Sequence, residues 1–416
     1  MKILVSSMTF APDHSGISLY STDFATYASE IGHDVTVVTG FSWYPNWVKR
    51  PEDKGKLFQT DSYKGIKVLR GYLYVPKKVT SITRMLQEIT FLIFVFFNFL
   101  RAGRQDAIVL FTTPINLGLI GVFFQKLWKA KLIINVQDLQ LEAAQSLGML
   151  GKLPIVEVMG KAERYSYQKA DLVTSISHAM VNIIKQKGAL DDKVYLWPNW
   201  IDVKDASNKG IKGNFIKKYP EYKDKIIIGY AGNVGVKQSL SSLVDLSEQF
   251  KDRDDLAFLI IGSGGDRDNL KEYAAKKAGS NLHFIDFLSQ EDYYSFLSDA
   301  DIVYLSQKKD SGDAYFPSKL LGIMAKAKLT FVAACRNSEI YKVVTENSLG
   351  MSSDIEDLTH MKELLTEYLK NRDEFKKYEV NSFRFVHQFD RKIVLESLFN
   401  EIDNLNLRDA YQPALA

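Results

Sequence analysis

The chain is poor in residues that staple or ligate. Its 416 residues include one cysteine, Cys335, so no internal disulfide can form, which fits a reducing compartment. Six histidines are scattered and none pairs with another at ligand spacing, so no zinc site or other metal is expected. Charge of one sign is also scarce. Lys and Arg total 53 against 50 Asp and Glu, and the missing basic excess argues against nucleic acid as a partner. No GxGxxG follows the first strand, so the dinucleotide fingerprint is absent. The N-terminal residues lack the apolar run and small-residue cleavage site of a secretory signal. The most apolar stretch, "ITFLIFVFFNFL" (89–100), has twelve residues, about 18 Å as a helix at ~1.5 Å per residue. A bilayer core needs about 20, so on length this stretch is too short to span.

What is present is apolar content, 46% of the chain, enough to bury a large core and to point to two domains. In the first half, strands at 2–7, 33–40, 107–111, 131–138 and 171–177 alternate with helices at 18–32, 117–128 and 155–168. Continuous apolar strands separated by helices imply an α/β fold with a parallel sheet covered on both faces. The pattern pauses in a turn at "VYLWPNWID" (194–202) and restarts at "KIIIGYAGNVG" (225–235), with further strands at 256–264, 282–287, 301–305 and 330–334. From about 358 the chain reads as helices, and the last, roughly 391–407, is long enough to cross back. The expected domains are 1–198, joined by 383–416, and 199–382. Open α/β sheets bind ligands beyond the carboxyl ends of their strands. Two Rossmann-like sheets facing each other would place the ligand between them.

The loops at those strand ends carry the candidate chemistry. Gly16 in "FAPDHSGIS" lets backbone approach a bulky anion ahead of a helix, or is a plain turn glycine. In "AGNVGVKQS", Asn233, Lys237 and Gln238 stand at a helix start, where a lysine opposes the dipole unless an anion lies between. "GSGGDRDNL" is a second glycine loop, with Asp266 a possible cap. Gln137, Asp138 and Glu142 in "VQDLQLE" follow an apolar strand. A carboxylate there orients or deprotonates a hydroxyl, or caps the next helix. Trp43, Tyr44 and Trp47 in "FSWYPNW" suit sugar stacking or a membrane interface, or form a small core. In "DSGDAYFPSKLLGIMAKAK", Pro317 opens a helix with Ser318 and Lys319 in its first turn. Free N–H groups, dipole and ammonium together suit an anion, a capped surface helix being the alternative.

In chain order, "FAPDHSGIS…IGHDVTVVT", "VYLWPNWID", "YAGNVGVKQSL", "LIIGSGGDRDNLK", "LHFIDFLSQEDYYSFLSDADIVYL" and "FPSKLLGIMAKAK" resemble the family-4 retaining glycosyltransferases of GT-B fold. Within them the chain is similar to the bacterial colanic-acid-type fucosyltransferases and related O-antigen enzymes, over nearly its whole length. The resemblance implies transfer of a fucose-like or N-acetylated 6-deoxy sugar from a nucleotide diphosphate, UDP favoured and GDP possible. The acceptor would be a polyprenyl-diphosphate-linked glycan in bacterial surface polysaccharide synthesis, with the donor on the second domain and no metal or other cofactor. It places Gly16 at the donor diphosphate, and Asn233 with Lys237 or Gln238 on the phosphates. Ser263, Gly264 and Phe287 fall near the base, and Ser318, Lys319 and Leu320 present helix N–H groups to the diphosphate behind Pro317. Lys237 and Lys319 would stabilise the leaving group, with Asp138 positioning the acceptor hydroxyl beside Gln137, Glu142, Trp43, Tyr44 and Trp47. The chain departs from the family where two glutamates usually stand, at Ala314 and Gly322. Asp313 is the candidate substitute for the first. Gln137 replaces a frequent histidine; it cannot act as a base but can hydrogen-bond a sugar hydroxyl.

Lys77, Lys78, Arg84, Arg101 and Arg104 flank the apolar stretch at 89–100, and apolar surface bordered by cations suits lying on anionic lipid. A buried core helix is the alternative. The expected location is the cytoplasmic face of the bacterial inner membrane, held through residues 85–104. Two other functions fit the same pattern: a nucleotide-sugar 2-epimerase, and a non-catalytic member of a polysaccharide assembly complex.

Overall fold

Aliphatic and β-branched runs of four to seven residues build the first sheet, since strands covered on both faces must be apolar throughout. The computed structural model describes residues 1–13, 16–44, 47–78, 80–142, 154–309 and 317–411. The first sheet comprises β1 (Lys2–Ser7), β2 (Asp34–Gly40), β3 (Phe58–Tyr63), β4 (Ile66–Gly71), β5 (Ala107–Thr112), β6 (Lys131–Val136), β7 (Leu172–Ser175) and β8 (Val194–Leu196). Their order is β3-β4-β2-β1-β5-β6-β7-β8, parallel except for the β3–β4 hairpin. Lys64 and Gly65 both have positive φ in that hairpin, as a two-residue I′ turn requires. β8 extends the sheet where "VYLWPNWID" reads as a turn, because Trp197 is fully buried and its N–H continues the ladder to Ser175.

The second sheet comprises β9 (Ile226–Ala231), β10 (Leu256–Ile261), β11 (Leu282–Ile285), β12 (Ile302–Ser306), β13 (Leu329–Ala333) and β14 (Gly350–Ser353). It is parallel, in the order β11-β10-β9-β12-β13-β14. The chain divides into one unit of Met1–Asn199 with the residues from Leu395, and another of Trp200–Val394. The terminal helix returns later than the expected residue 383. Val386 is buried in the second unit's core, and the Ser382 hydroxyl donates to the Leu349 carbonyl at 2.7 Å. From Leu395 the helix packs on the first unit, with Phe399 stacked on Phe24 at 5.5 Å.

The apolar stretch at 89–100 lies within a longer helix, Ser81–Ala102, opened by a Thr80–Thr83 capping box. Its 22 residues reach about 33 Å at ~1.5 Å per residue, so length alone does not exclude crossing a bilayer. One face, however, is committed to the sheet. Phe91, Val95, Asn98 and Phe99 are buried, and a Cβ at Gly71 of β4 would stand 2.8 Å from that of Phe94. The other face exposes Ile82, Met85, Leu86, Ile89, Ile93, Phe97 and Leu100. Helix Leu117–Trp128 lies beside it, joined through Phe96, Phe99 and Phe124, and exposes Leu119, Phe123 and Leu127.

Candidate active site

In the second unit the backbone ladder continues past the strand ends into the loops. Gly232 N–H donates to the Ile261 carbonyl at 2.8 Å, Val234 to Ser263 at 2.8 Å and Gly262 to Ile285 at 3.0 Å. Loops this close leave no room for side chains at the crossing points. A Cβ at Gly262 would overlap the Gly232 carbonyl, and one at Gly264 would overlap Val234. The glycines in "AGNVG" and "GSGG" thus let two loops lie against one another.

Gly232 has a further task. Its φ is 143, and a Cβ there would overlap the Lys319 amine, which lies directly against the glycine. Lys319 donates to the Tyr230 hydroxyl at 2.6 Å and sits 4.1 Å from that ring's centre. Burial, aided by repulsion from Lys237, pulls its pKa down to about 7. Among the described residues no counter-charge faces this amine, and a buried amine set under a glycine loop is suited to an anion. Gly232→Ala is expected to destabilise the protein by about 2–3 kcal/mol through strain and overlap, and to abolish stabilisation by nucleotide, both read from thermal unfolding.

Tyr230 links Lys319 to the Asn233 carbonyl, Lys237 is close enough to repel it, and the loop ladder sets Ser263 and Gly264 against Val234. Lys237 and Gln238 lie in a 3-10 turn, Val236–Gln238, and the α-helix begins only at Ser241, so Lys237 does not oppose a helix dipole. Gln238 turns its side-chain oxygen back to Gly235 N–H at 3.2 Å, and its carbonyl accepts from Ser306 at 2.5 Å. Phe287, past the end of β11, is 60% exposed. The helix after Pro317 also differs from expectation. It is a seven-residue helix, Lys319–Ala325, with Ser318 at its cap and Pro317 ahead of it. Leu320 is buried and its N–H is already bonded to the Pro317 carbonyl at 3.1 Å, so it offers nothing to a ligand. The Lys319 side chain reaches from this helix start to Tyr230 and Gly232. Asp313 and Ala314 lie outside the described residues. A Cβ at Gly322 would stand 3.8 Å from the Tyr293 hydroxyl.

The first unit places its own cluster at the ends of β1, β2 and β6. Gly16, with φ 63, caps helix Ile17–Glu30 without a side-chain bond, and a Cβ there would meet Tyr44 at 3.8 Å. Trp43 is buried, with Trp47 at 4.5 Å and Tyr44 at 5.5 Å, so this ring serves a small core rather than a sugar. Tyr44 and Trp47 remain half-buried. Gln137 is buried, and its side-chain nitrogen donates to the Asn135 side-chain oxygen at 2.6 Å. Glu142 pairs with Lys187 at 2.6 Å, and Lys187 also holds Glu163 at 2.6 Å, so Glu142 ties helices rather than facing a ligand. Asp138 is half-buried at the end of β6.

Sequence reasoning missed two features. Tyr230 sits within an apolar strand and reads as core. Asp13 lies in the "FAPDHSG" loop, buried, where it accepts from the Ser42 hydroxyl and the Trp43 and Tyr44 backbone. Burial raises its pKa, against the nearby Arg70, which donates to the Ala11 carbonyl at 2.6 Å and to Asp61 at 2.6 Å. These groups knit the β1 loop to the aromatic loop. Among the described residues no three His, Cys, Asp or Glu gather as a metal site.

Paired parallel-sheet units with glycine loops and a buried cation at the strand ends define the class of the GT-B glycosyltransferases, and comparison with known proteins agrees. Residues 212–384 match the family model described as glycosyl transferases group 1, and residues 15–200 the glycosyl transferase 4-like domain. Over 345 residues the chain is 30% identical to the putative colanic acid biosynthesis glycosyl transferase WcaI of Escherichia coli K12, covering 78% of this chain and 81% of that protein. The chain belongs to this glycosyltransferase family. In fold it is similar to Anabaena HepE in complex with UDP, with a TM-score of 0.72 at 13% identity over 97% of this chain and 100% of that one. It is also similar to sucrose-phosphate synthase of Thermosynechococcus elongatus, with a TM-score of 0.76 at 13% identity over 98% and 99%.

Proposed function

We propose that this glycosyltransferase moves a sugar, with retention and without a metal, from a nucleotide diphosphate to a polyprenyl-diphosphate-linked glycan during bacterial surface polysaccharide synthesis. The observation that carries the donor side is Lys319, a buried amine beneath Gly232 that no described residue compensates and that Lys237 repels. A diphosphate there would supply the missing counter-charge. Phe287 follows β11, two strands from β9, and at ~4.8 Å per strand this is about 10 Å, a spacing suited to a base when the phosphates lie at β9. The HepE structure holds UDP, which supports UDP over GDP. The relative named for colanic acid biosynthesis supports a polysaccharide product; a fucose-like or N-acetylated 6-deoxy sugar is proposed on the resemblance of the sequence motifs alone. Tyr293, facing the position of the absent glutamate at Gly322, is the group proposed to meet the ribose.

In this scheme the C1–O bond to the diphosphate breaks as the acceptor oxygen attacks the same face. The acceptor proton passes to the leaving phosphate oxygen. Lys319 and Lys237 stabilise the departing charge, so no side chain must act as nucleophile. Asp138 orients the acceptor hydroxyl. Asp138→Ala is expected to lower kcat by about 10²-fold at saturating acceptor with donor KM unchanged; unaltered turnover removes that role. The exposed apolar helices of the first unit support a seat on the cytoplasmic face of the inner membrane, where a lipid-linked acceptor resides.

The test is incubation of the purified protein with UDP-, GDP- and dTDP-sugars, with and without membrane-extracted lipid-linked glycan. Acceptor-dependent release of nucleotide diphosphate is expected. Acceptor-free isomerisation of the sugar would assign an epimerase, and neither reaction a non-catalytic partner.

A further inference from the structure

Tyr230 closes β9 with its side chain buried and its hydroxyl held on two sides. It donates to the Asn233 carbonyl at 2.5 Å and accepts from Lys319 Nζ at 2.6 Å. A phenol has one proton. With that proton on Asn233, its oxygen is left as an acceptor only, and it holds the lysine whether amine or ammonium. Among the described residues, the charged group acting on Lys319 is Lys237, which repels it. A carboxylate in Tyr230's place would neutralise the lysine and then repel an incoming diphosphate. The phenol fixes the amine's position while adding no negative charge of its own.

We propose that Tyr230 is a positioning residue that holds Lys319 ready where no described residue supplies a counter-charge, so that donor binding is coupled to uptake of a proton by the lysine. This rests on the nucleotide-diphosphate reading above. The proton comes from solvent, joins the amine lone pair and remains there while the diphosphate is bound. Burial, which leaves the amine mostly neutral above pH 7, supports the coupling. Below that pH the proton is already present and uptake vanishes.

The experiment is calorimetric titration of the full chain with UDP-glucose and with GDP-mannose, whose diphosphates are diesters with no proton to gain near neutrality. It is run at about pH 8 and about pH 6, each in two buffers of different ionisation enthalpy. Wild type is expected to take up close to one proton per ligand at the higher pH and almost none at the lower. Tyr230→Phe keeps the ring and its packing but removes the accepting oxygen. It is expected to weaken binding about tenfold at the higher pH and far less at the lower. An unchanged melting temperature verifies that the variant is folded, and a fall in it directs the same titrations to Tyr230→Trp. Binding without proton uptake, or an equal loss at both pH values, overturns the inference and leaves the donor reading standing. Absence of binding by either nucleotide sugar, in calorimetry and in thermal shift, overturns both.

Discussion

Lys319→Met is expected to raise the melting temperature of the ligand-free protein and to remove the stabilisation expected from nucleotide. Both effects follow from one cause. The lysine is buried among Tyr230, Gly232 and the neighbouring loops with Lys237 repelling it, and its pKa is pulled from 10.5 to about 7. Unfolded chains bind this proton up to their higher pKa, whereas the native state gives it up near 7. Between those values the unfolded state therefore carries more protons, and stability from this group rises with pH. Its burial penalty is full below pH 7 and relieved as pH approaches 10.5. Methionine fills similar space without charge, so the penalty disappears and the melting temperature rises by roughly 2–6 °C. The same substitution removes the cation proposed to meet the diphosphate, and kcat/KM is expected to fall by about 10²–10³-fold. Lys237→Met leaves Lys319 in place but removes its repeller, moving the stability transition toward higher pH. Differential scanning fluorimetry across pH, with and without UDP and GDP, reads all of this. A Lys319→Met protein that is less stable when empty, or still stabilised by nucleotide, would refute the assignment.

The same burial explains what could be seen in advance. Parallel strands covered on both faces are continuous apolar runs, so β1, β2, β5, β6 and β9 to β13 stand out in the sequence. The β3–β4 hairpin does not, because β3 is an edge strand whose residues alternate between exposed and half-buried and read as polar loop. β8 has only three residues, and β14 reads Gly-Met-Ser-Ser, with no apolar run or β-branched residue to mark it. The helix Ser81–Ala102 shows only its apolar heart, since its first turns are polar and its start is set by the Thr80–Thr83 cap. At the site, Asn233, Lys237 and Lys319 were legible as polar groups following strands. Tyr230 was not, because its role depends on a lysine brought alongside β9 from after β12. Asp13, Ser42 and Arg70 meet only because β1, β2 and β4 are neighbours in the sheet. Trp43 shows the converse: tertiary packing buries an aromatic loop residue that composition alone suggests for ligand stacking.

Phe97→Asp combined with Phe123→Asp is expected to release the protein from anionic vesicles while leaving its fold and its nucleotide binding intact. Both rings are about half exposed, on adjacent helices of the first unit, among ten large apolar side chains that face solvent between Ile82 and Leu127. Completing the burial of a half-exposed Phe, Leu or Ile gains about 1 kcal/mol, so the face as a whole offers of order 10 kcal/mol before the cost of immobilisation. Exposed Lys77, Lys78, Arg84, Arg104, Lys126 and Lys129 flank these helices, each adding about 1 kcal/mol near an anionic surface. A helix that crossed the bilayer would have to leave the sheet, exposing the buried Phe91, Val95 and Phe99 and breaking the Asn98 contact with Leu69. Lying in the interface needs no such rearrangement. Phe94 is unsuitable for the test, because it packs on Gly71, Phe58 and Tyr72 and its loss would damage the fold. Flotation with phosphatidylglycerol-containing vesicles is expected to recover wild type and lose the double variant by about 10²-fold in partitioning, with weaker recovery at high salt. Equal flotation of the two proteins would sink the membrane assignment. Concentration-dependent sedimentation without lipid, abolished by the same pair, would assign this face to a second copy of the chain.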